Sequence, residues 1–278
     1  MKNRIPYHID NNQTYTDTVG SMKNTYRGQP TKKLTLVALS AQVKLRYDEY
    51  ALKFNANDLI TISNSNRNGE EKEALIYLYE SNSKIVSNLK AKIKEIQDEH
   101  LRQICPNCGI LPALEVDHYV PKELYPDFSI YSSNLIWSCK TCNGKKLQYW
   151  KEATYRGIIN FYIDDIPSFN FLGCEVTSNN GVLKAMFFIK EQRLTNHPNI
   201  IKHFERLKIL DLYRDHIPTK LGEIIADLKS YRGELDENKV KRILLKQYLK
   251  RRADFGINDW KVCILREIII KKHYLQYI

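Results

Sequence analysis

The fold is decided by residues 105–146, which read Cys105-Pro-Asn-Cys108, then Glu115-Val-Asp117-His118-Tyr-Val-Pro121, then Asn134-Leu-Ile-Trp-Ser-Cys139-Lys-Thr-Cys142-Asn143-Gly-Lys-Lys146. A two-residue spacer lets a tight turn direct both sulfurs of a Cys-x-x-Cys pair at one ion, and four thiolates bind zinc tetrahedrally. Because four protein ligands leave no open position, the predicted zinc site is structural. The alternative is four free core cysteines.

The segment between the two cysteine pairs predicts a second, polar site. Residues 113–118 and 134–138 are strand-like, and a helix can begin at Thr141, which gives a β-β-α order. Asp117 and His118 then end the first strand, and Asn143 lies near the helix start. Carboxylate and amide oxygens suit Mg²⁺ or Mn²⁺, and a neutral histidine can take a proton from water. On a basic protein these groups indicate hydrolysis of a phosphodiester.

This pattern resembles the HNH endonucleases, which have the ββα-metal fold. His118, Asn134 and Asn143 match the three named positions of that family in order, and zinc-bound members carry both cysteine pairs. The resemblance implies that His118 is the general base, that Asp117 and Asn143 bind the catalytic metal, and that Asn134 orients the loop carrying the histidine. Lys146 matches a frequent family lysine that touches phosphate or packs structurally. Many members have histidine where this chain has Asn143.

Composition bounds the class of protein. The chain has 278 residues, 43% of them hydrophobic, and a formal net charge of +11. The size suits a globular protein with a real core, and the charge suits a polyanionic partner such as nucleic acid. No apolar run approaches the roughly 20 residues that span a bilayer, and no secretory signal is evident. We therefore expect a cytoplasmic protein without a membrane partner, in which paired cysteines bind metal rather than form disulfides.

The predicted fold class is α+β, with mainly helical flanks around a small zinc-clamped ββα-metal module. Three divisions are predicted. Residues 1–98 hold a polar arm (1–33) and a helical region, and residues 99–152 are the nuclease module. Residues 153–278 hold a β-hairpin near 175–189 followed by helices. Asn180-Gly181 is a strong hairpin-turn signal. Helices are expected at 34–54, from Glu70 onward and after Pro198, with Pro218 as one of the interruptions.

One C-terminal helix carries a row of cations that could track phosphates. Arg242, Lys246 and Lys250 share a helical face, and with Lys146 they are the candidate nucleic-acid contacts. The alternative is an ordinary solvated helix face.

The sequence therefore predicts a metal-dependent HNH endonuclease that cuts DNA, with RNA or tRNA not excluded, using structural Zn²⁺ and catalytic Mg²⁺ or Mn²⁺. Size and layout are also similar, more loosely, to HNH effectors of Septu-type and retron-associated anti-phage systems, which work beside an ATPase partner. Two alternatives stay open. One is a non-catalytic zinc-clamped module that binds nucleic acid or protein; the other is a stand-alone restriction or mobile-element nuclease.

Overall fold

The computed structural model describes residues 1–26, 29–179 and 182–277, and these form the predicted α+β fold. The helices are α1 (Asn11–Gly20), α2 (Lys33–Asn55), α3 (Gly69–Glu80), α4 (Lys84–Glu95), α5 (Lys140–Lys146), α6 (Pro198–Leu207), α7 (Ile209–Ser230), α8 (Glu237–Phe255) and α9 (Trp260–Ile270). The strands are β1 (Thr25–Tyr26), β2 (Gln29–Pro30), β3 (Glu115–His118), β4 (Leu135–Ser138), β5 (Leu172–Asn179) and β6 (Val182–Ile189). They pair as three two-stranded antiparallel sheets among the described residues.

The central β-β-α unit has the predicted order. Strand β3 pairs with β4 so that Asp117 is opposite Ile136 and His118 is opposite Leu135. Cys139 caps the N-terminus of α5, because its sulfur accepts a hydrogen bond from the Cys142 amide at 3.3 Å. One cysteine therefore ends the strand, starts the helix and offers a metal ligand.

The hairpin predicted after this unit is present as β5 and β6, which pair along their whole length. Alternate residues of β6 are buried, including Leu183 and Phe187, which is the two-residue period of a strand with one face on the core. The predicted turn residues Asn180 and Gly181 lie outside the described residues.

The prediction of a polar arm is wrong for residues 11–20, which form helix α1. Asp10 caps this helix by accepting from the Gln13 amide. Its buried face mixes Tyr15 and Val19 with two threonines, Thr14 and Thr18, whose hydroxyls donate to carbonyls four residues earlier. Threonines whose hydroxyls are hydrogen-bonded in this way can be buried. Because threonine is not apolar, the sequence shows no apolar helical stripe here, and the helix was not predicted.

Two helix boundaries also differ from the predictions. The stretch from Glu70 is split into α3 and α4 at Asn82, which has a positive φ of 47°. Pro218 does not interrupt the C-terminal helices but lies inside α7. The break falls instead at Lys208, which has a φ of 50° between α6 and α7. Asparagine tolerates this left-handed conformation better than most residues, whereas a lysine there gives little sequence signal.

Buried apolar side chains from Tyr15 to Tyr277 form one continuous core that runs through all three predicted divisions. The C-terminal helices are attached directly to the first cysteine pair. His203 of α6 donates to the Asn107 carbonyl at 3.0 Å, and Tyr213 of α7 donates to the Cys108 carbonyl at 2.9 Å. Trp260 of α9 donates to the Gly109 carbonyl at 3.2 Å. The helical flank thus fixes the position of the turn that carries Cys105 and Cys108.

None of the helices in the described ranges has both the length and the apolar character needed to cross a bilayer.

Candidate active site

The four predicted zinc ligands come together. The Sγ atoms of Cys105, Cys108, Cys139 and Cys142 all lie within 4.8 Å of one another, and all four residues are buried. Tetrahedral zinc with Zn–S bonds near 2.3 Å requires sulfur–sulfur separations of about 3.8 Å, so the four thiols fit the ion. We call these four cysteines the zinc clamp. Among the described residues, no other group of three or more His, Cys, Asp or Glu side chains is close enough to hold a metal.

The zinc clamp is also a strongly coupled set of acids. The hydrogen bond with Cys105, and then those with Cys108 and Cys139, raise the pKa of the Cys142 thiol far above its usual value. Four thiols in mutual contact cannot all ionise without a cation between them, because like charges repel at this distance. A divalent cation is what would let all four act as thiolates.

His118 is held as a neutral base at the end of β3. Its Nε2 lies 2.8 Å from the Ser129 carbonyl oxygen, and its ring packs edge-on against Tyr79 with centroids 4.4 Å apart. A carbonyl oxygen can only accept, so Nε2 carries the proton and Nδ1 is the acceptor of the neutral ring. Burial lowers the pKa of His118 to about 3, which keeps the ring unprotonated at neutral pH.

Asp117 shares a buried ion pair with Lys146. The Lys146 ammonium donates to Asp117 Oδ1 at 3.0 Å and to the His118 carbonyl at 2.7 Å, and the two side chains are 1% and 6% exposed. Burial raises the pKa of Asp117, although Lys146 opposes that shift. Of the two roles expected for Lys146, the structure shows packing. Its burial argues against direct contact with a phosphate.

Asn143 lies across from β3 with its amide oxygen free. Its Nδ2 donates to Glu115 Oε1 at 2.9 Å, which fixes which end of the amide is oxygen. No described residue donates to Oδ1 of Asn143 or to Oδ2 of Asp117. One carboxylate oxygen and one amide oxygen therefore stay available to a hard cation, the ligand type that Mg²⁺ and Mn²⁺ take. Asp117 and Asn143 thus offer the type of ligand atom that the predicted catalytic metal would need.

Asn134 is fully buried and holds the loop that follows β3. Its Oδ1 accepts from the Val120 amide at 2.7 Å, and its Nδ2 donates to the carbonyls of Val120 and Phe128 at 3.0 and 3.2 Å. Tyr50 of α2 also donates to its Oδ1 at 3.3 Å. These bonds tie both ends of residues 120–128 together, so Asn134 positions the backbone beside His118 without touching the cavity.

Asp117, His118 and Asn143 line one cavity of about 730 Å³, which we call the site cavity. Lys146 and Asn134 lie behind its wall. The cations of α8 are elsewhere: Arg242, Lys246 and Lys250 are exposed, and none of them lines the site cavity. The structure therefore brings together the predicted metal ligands and base but not the predicted phosphate-tracking face.

Sequence comparison gives two partial similarities. Septu protein PtuB of Bacillus thuringiensis is 52% identical over 116 residues, which are 41% of this chain and 40% of that protein. Protein ea31 of Escherichia phage lambda is 28% identical over 172 residues, which are 53% of this chain and 58% of that protein. The chain thus spans less than two thirds of each of these relatives. No family model matches the sequence, and no solved structure matches it.

Several cavity residues escaped the sequence reasoning. Glu115 could have been found, because residues two apart on a strand share a face and Glu115 precedes Asp117 by two. Tyr79, Tyr149 and Arg206 also line the cavity, but they come from α3, the chain after α5, and α6. No local pattern links them to the module.

Proposed function

We propose that this protein is a metal-dependent HNH endonuclease that hydrolyses phosphodiester bonds in DNA. The observation that carries the proposal is the position of His118, a buried neutral base with Nε2 fixed on the Ser129 carbonyl, in the same cavity as Asp117 and Asn143. A general base needs a free acceptor and a pKa below the working pH, and His118 has both.

The chemistry follows from the positions of the chain's own groups. His118 accepts a proton at Nδ1 from the water that attacks phosphorus, and the bond from phosphorus to the leaving ester oxygen breaks. Asn134 keeps the adjoining loop in place. Asp117 Oδ2 and Asn143 Oδ1 would hold the Mg²⁺ or Mn²⁺ ion, which when bound stabilises negative charge on phosphate oxygens. Lys146 holds the Asp117 carboxylate in position through Oδ1. The zinc clamp takes no part in the reaction, because its four ligands fill a tetrahedral site.

We further propose that the nuclease is the effector of a bacterial anti-phage system and works with an ATPase partner. The similarity to Septu protein PtuB supports a defence role. The net charge of +11 is compatible with a nucleic-acid substrate. DNA is the substrate we favour, and RNA and tRNA are separate arms of the test.

The test is cleavage of supercoiled plasmid, RNA and tRNA by the purified zinc-loaded chain, with Mg²⁺ or Mn²⁺ and with EDTA, alone and together with the co-expressed ATPase. We expect metal-dependent nicking of DNA by the wild type. His118→Ala should slow it by about 10²- to 10⁴-fold, the usual contribution of a general base. His216→Ala, at an exposed histidine of α7, is the matched control and should cut normally.

Two results would contradict the proposal. A wild-type protein that cuts no nucleic acid even with its partner would point instead to a non-catalytic binding module. A His118→Ala protein that cuts as fast as the wild type would remove His118 from the reaction.

A further inference from the structure

Arg206 is a cation that the C-terminal helical region supplies to the site cavity. It belongs to α6, outside the predicted nuclease module, yet it lines the same cavity as Asp117 and His118. Its Nη2 donates to the carbonyl of Lys146, the last residue of α5, at 3.3 Å. The guanidinium is therefore anchored to the helix that also carries Asn143.

Tyr149 provides a platform for this arginine. The guanidinium carbon of Arg206 lies 5.1 Å from the centroid of the Tyr149 ring. The Tyr149 hydroxyl donates to Glu152 Oε1 at 2.5 Å, which fixes the ring from its far end. A β-carbon at Gly157 would overlap the Tyr149 hydroxyl, so the ring can lie here only because residue 157 is glycine.

Arg206 has no carboxylate partner in the part of the chain that the structure describes. Three cations line the site cavity, and one of them, Lys122, forms ion pairs with Glu80 and Glu123, both at 3.1 Å. Within the described ranges no carboxylate lies within 4.0 Å of the nitrogens of Arg206 or Lys140. Nη2 of Arg206 bonds the Lys146 carbonyl and Nε is shielded from solvent, so Nη1, which has no acceptor among the described residues, is the nitrogen open to a ligand. A guanidinium that lines a cavity, has no carboxylate partner and keeps an accessible donor is suited to bind an anion.

We propose that Arg206 binds a backbone phosphate of the nucleic acid beside the bond that is cut, and that Tyr149 is the residue that positions it. The inference rests on the proposed nuclease function. The planar guanidinium fork matches two phosphate oxygens, and stacking on an aromatic ring reduces the freedom lost on binding. Glu115, Asp117 and Glu123 give the same cavity several carboxylates. These carboxylates repel a polyanion, so a nucleic acid needs a fixed cation in the site cavity to bind there.

The experiment measures binding of the full zinc-loaded chain to a short fluorescent DNA duplex, without added Mg²⁺ or Mn²⁺ and over a series of KCl concentrations. Each lost phosphate contact reduces the slope of log affinity against log salt by about 0.9. Arg206→Gln should show that reduction and bind about tenfold more weakly at low salt. Arg206→Lys should keep the slope but bind more weakly, because it keeps the charge and loses the fork.

Arg214→Gln is the matched control, since Arg214 is an exposed arginine of α7 paired with Asp211 and Asp215. It should leave both slope and affinity unchanged. Tyr149→Leu tests the positioning role. As a single substitution it should weaken DNA binding, but it should weaken binding little further when Arg206→Gln is already present. A structural defect would instead lower the melting temperature of Tyr149→Leu and weaken binding in both backgrounds.

The outcomes separate this inference from the proposed function. An unchanged slope and affinity in Arg206→Gln overturns the inference, even if the wild type cuts DNA. A reduced slope in a protein that never cuts supports Arg206 as a phosphate contact and overturns the nuclease. A wild type that binds no duplex, no single strand and no RNA overturns both.

Discussion

The zinc clamp and the three predicted residues of the site cavity come from the same segment of chain but use their polar atoms in opposite ways. In the clamp, four buried sulfurs face one another and have room for one ion and nothing else. In the cavity, Asp117, His118 and Asn143 each bond the protein through one polar atom and leave another without a partner among the described residues.

From this difference we expect the zinc clamp to stabilise the fold and the site cavity to be the place where a ligand binds. A closed set of ligands contributes the free energy of metal binding to folding. In an open set, each side chain is held by a hydrogen bond from one polar atom to the protein, so it is oriented before the ligand arrives. Its other polar atom can then bind the ligand or react with it. Substitutions in the clamp should therefore change stability, whereas substitutions of the cavity's free atoms should change activity.

The largest effect is expected in the clamp. Cys139→Ser should lose zinc and unfold the module, because structural zinc contributes on the order of 10 kcal/mol in small zinc domains. Zinc content per chain and thermal melting measure both effects. Cys174→Ser, at a buried cysteine outside the clamp, is the control and should keep its zinc. A Cys139→Ser protein with full zinc content and unchanged melting would contradict the structural role of the clamp.

An intermediate effect is expected behind the cavity wall. Lys146→Met leaves the buried Asp117 carboxylate without its partner and should cost about 3–5 kcal/mol of unfolding free energy, measured by denaturant titration. Lys146→Met/Asp117→Asn removes the unpaired charge and should recover part of that loss. If the single variant is as stable as the wild type, Lys146 does not hold Asp117 in solution.

The smallest effect is expected on α8, far from either site in sequence. The triple variant Arg242→Gln/Lys246→Gln/Lys250→Gln should change stability by less than about 0.5 kcal/mol per position, since these side chains are exposed. Cleavage of a short duplex should also be unchanged, because none of the three lines the cavity. If the slope of log affinity against log salt fell by about 2.7, the value for three lost phosphate contacts, nucleic acid would instead reach this helix.

Much of the site could be predicted because its residues are close in sequence. The β-β-α order and the common cavity of Asp117, His118 and Asn143 both follow from a segment of fewer than fifty residues. The burial of Lys146 could not be predicted, because lysine is normally exposed and only its ion pair with Asp117 explains its position. Helix α1 was missed for a related reason, since its buried threonines are satisfied by their own helix.

The sequence by itself determined which ligand types are available, thiolates at four positions and oxygens between them, and it predicted a soft-metal and a hard-metal site from them. It also predicted the hairpin of β5 and β6, through the Asn180-Gly181 turn signal between strand-like flanks. Only the tertiary structure decided which atoms of each polar residue are already bonded and which stay free. The tertiary structure alone also placed Arg206 and Tyr149 at the cavity. Arg206 binds the carbonyl of Lys146, which lies 60 residues earlier in the chain. The two residues meet because α6 packs against α5.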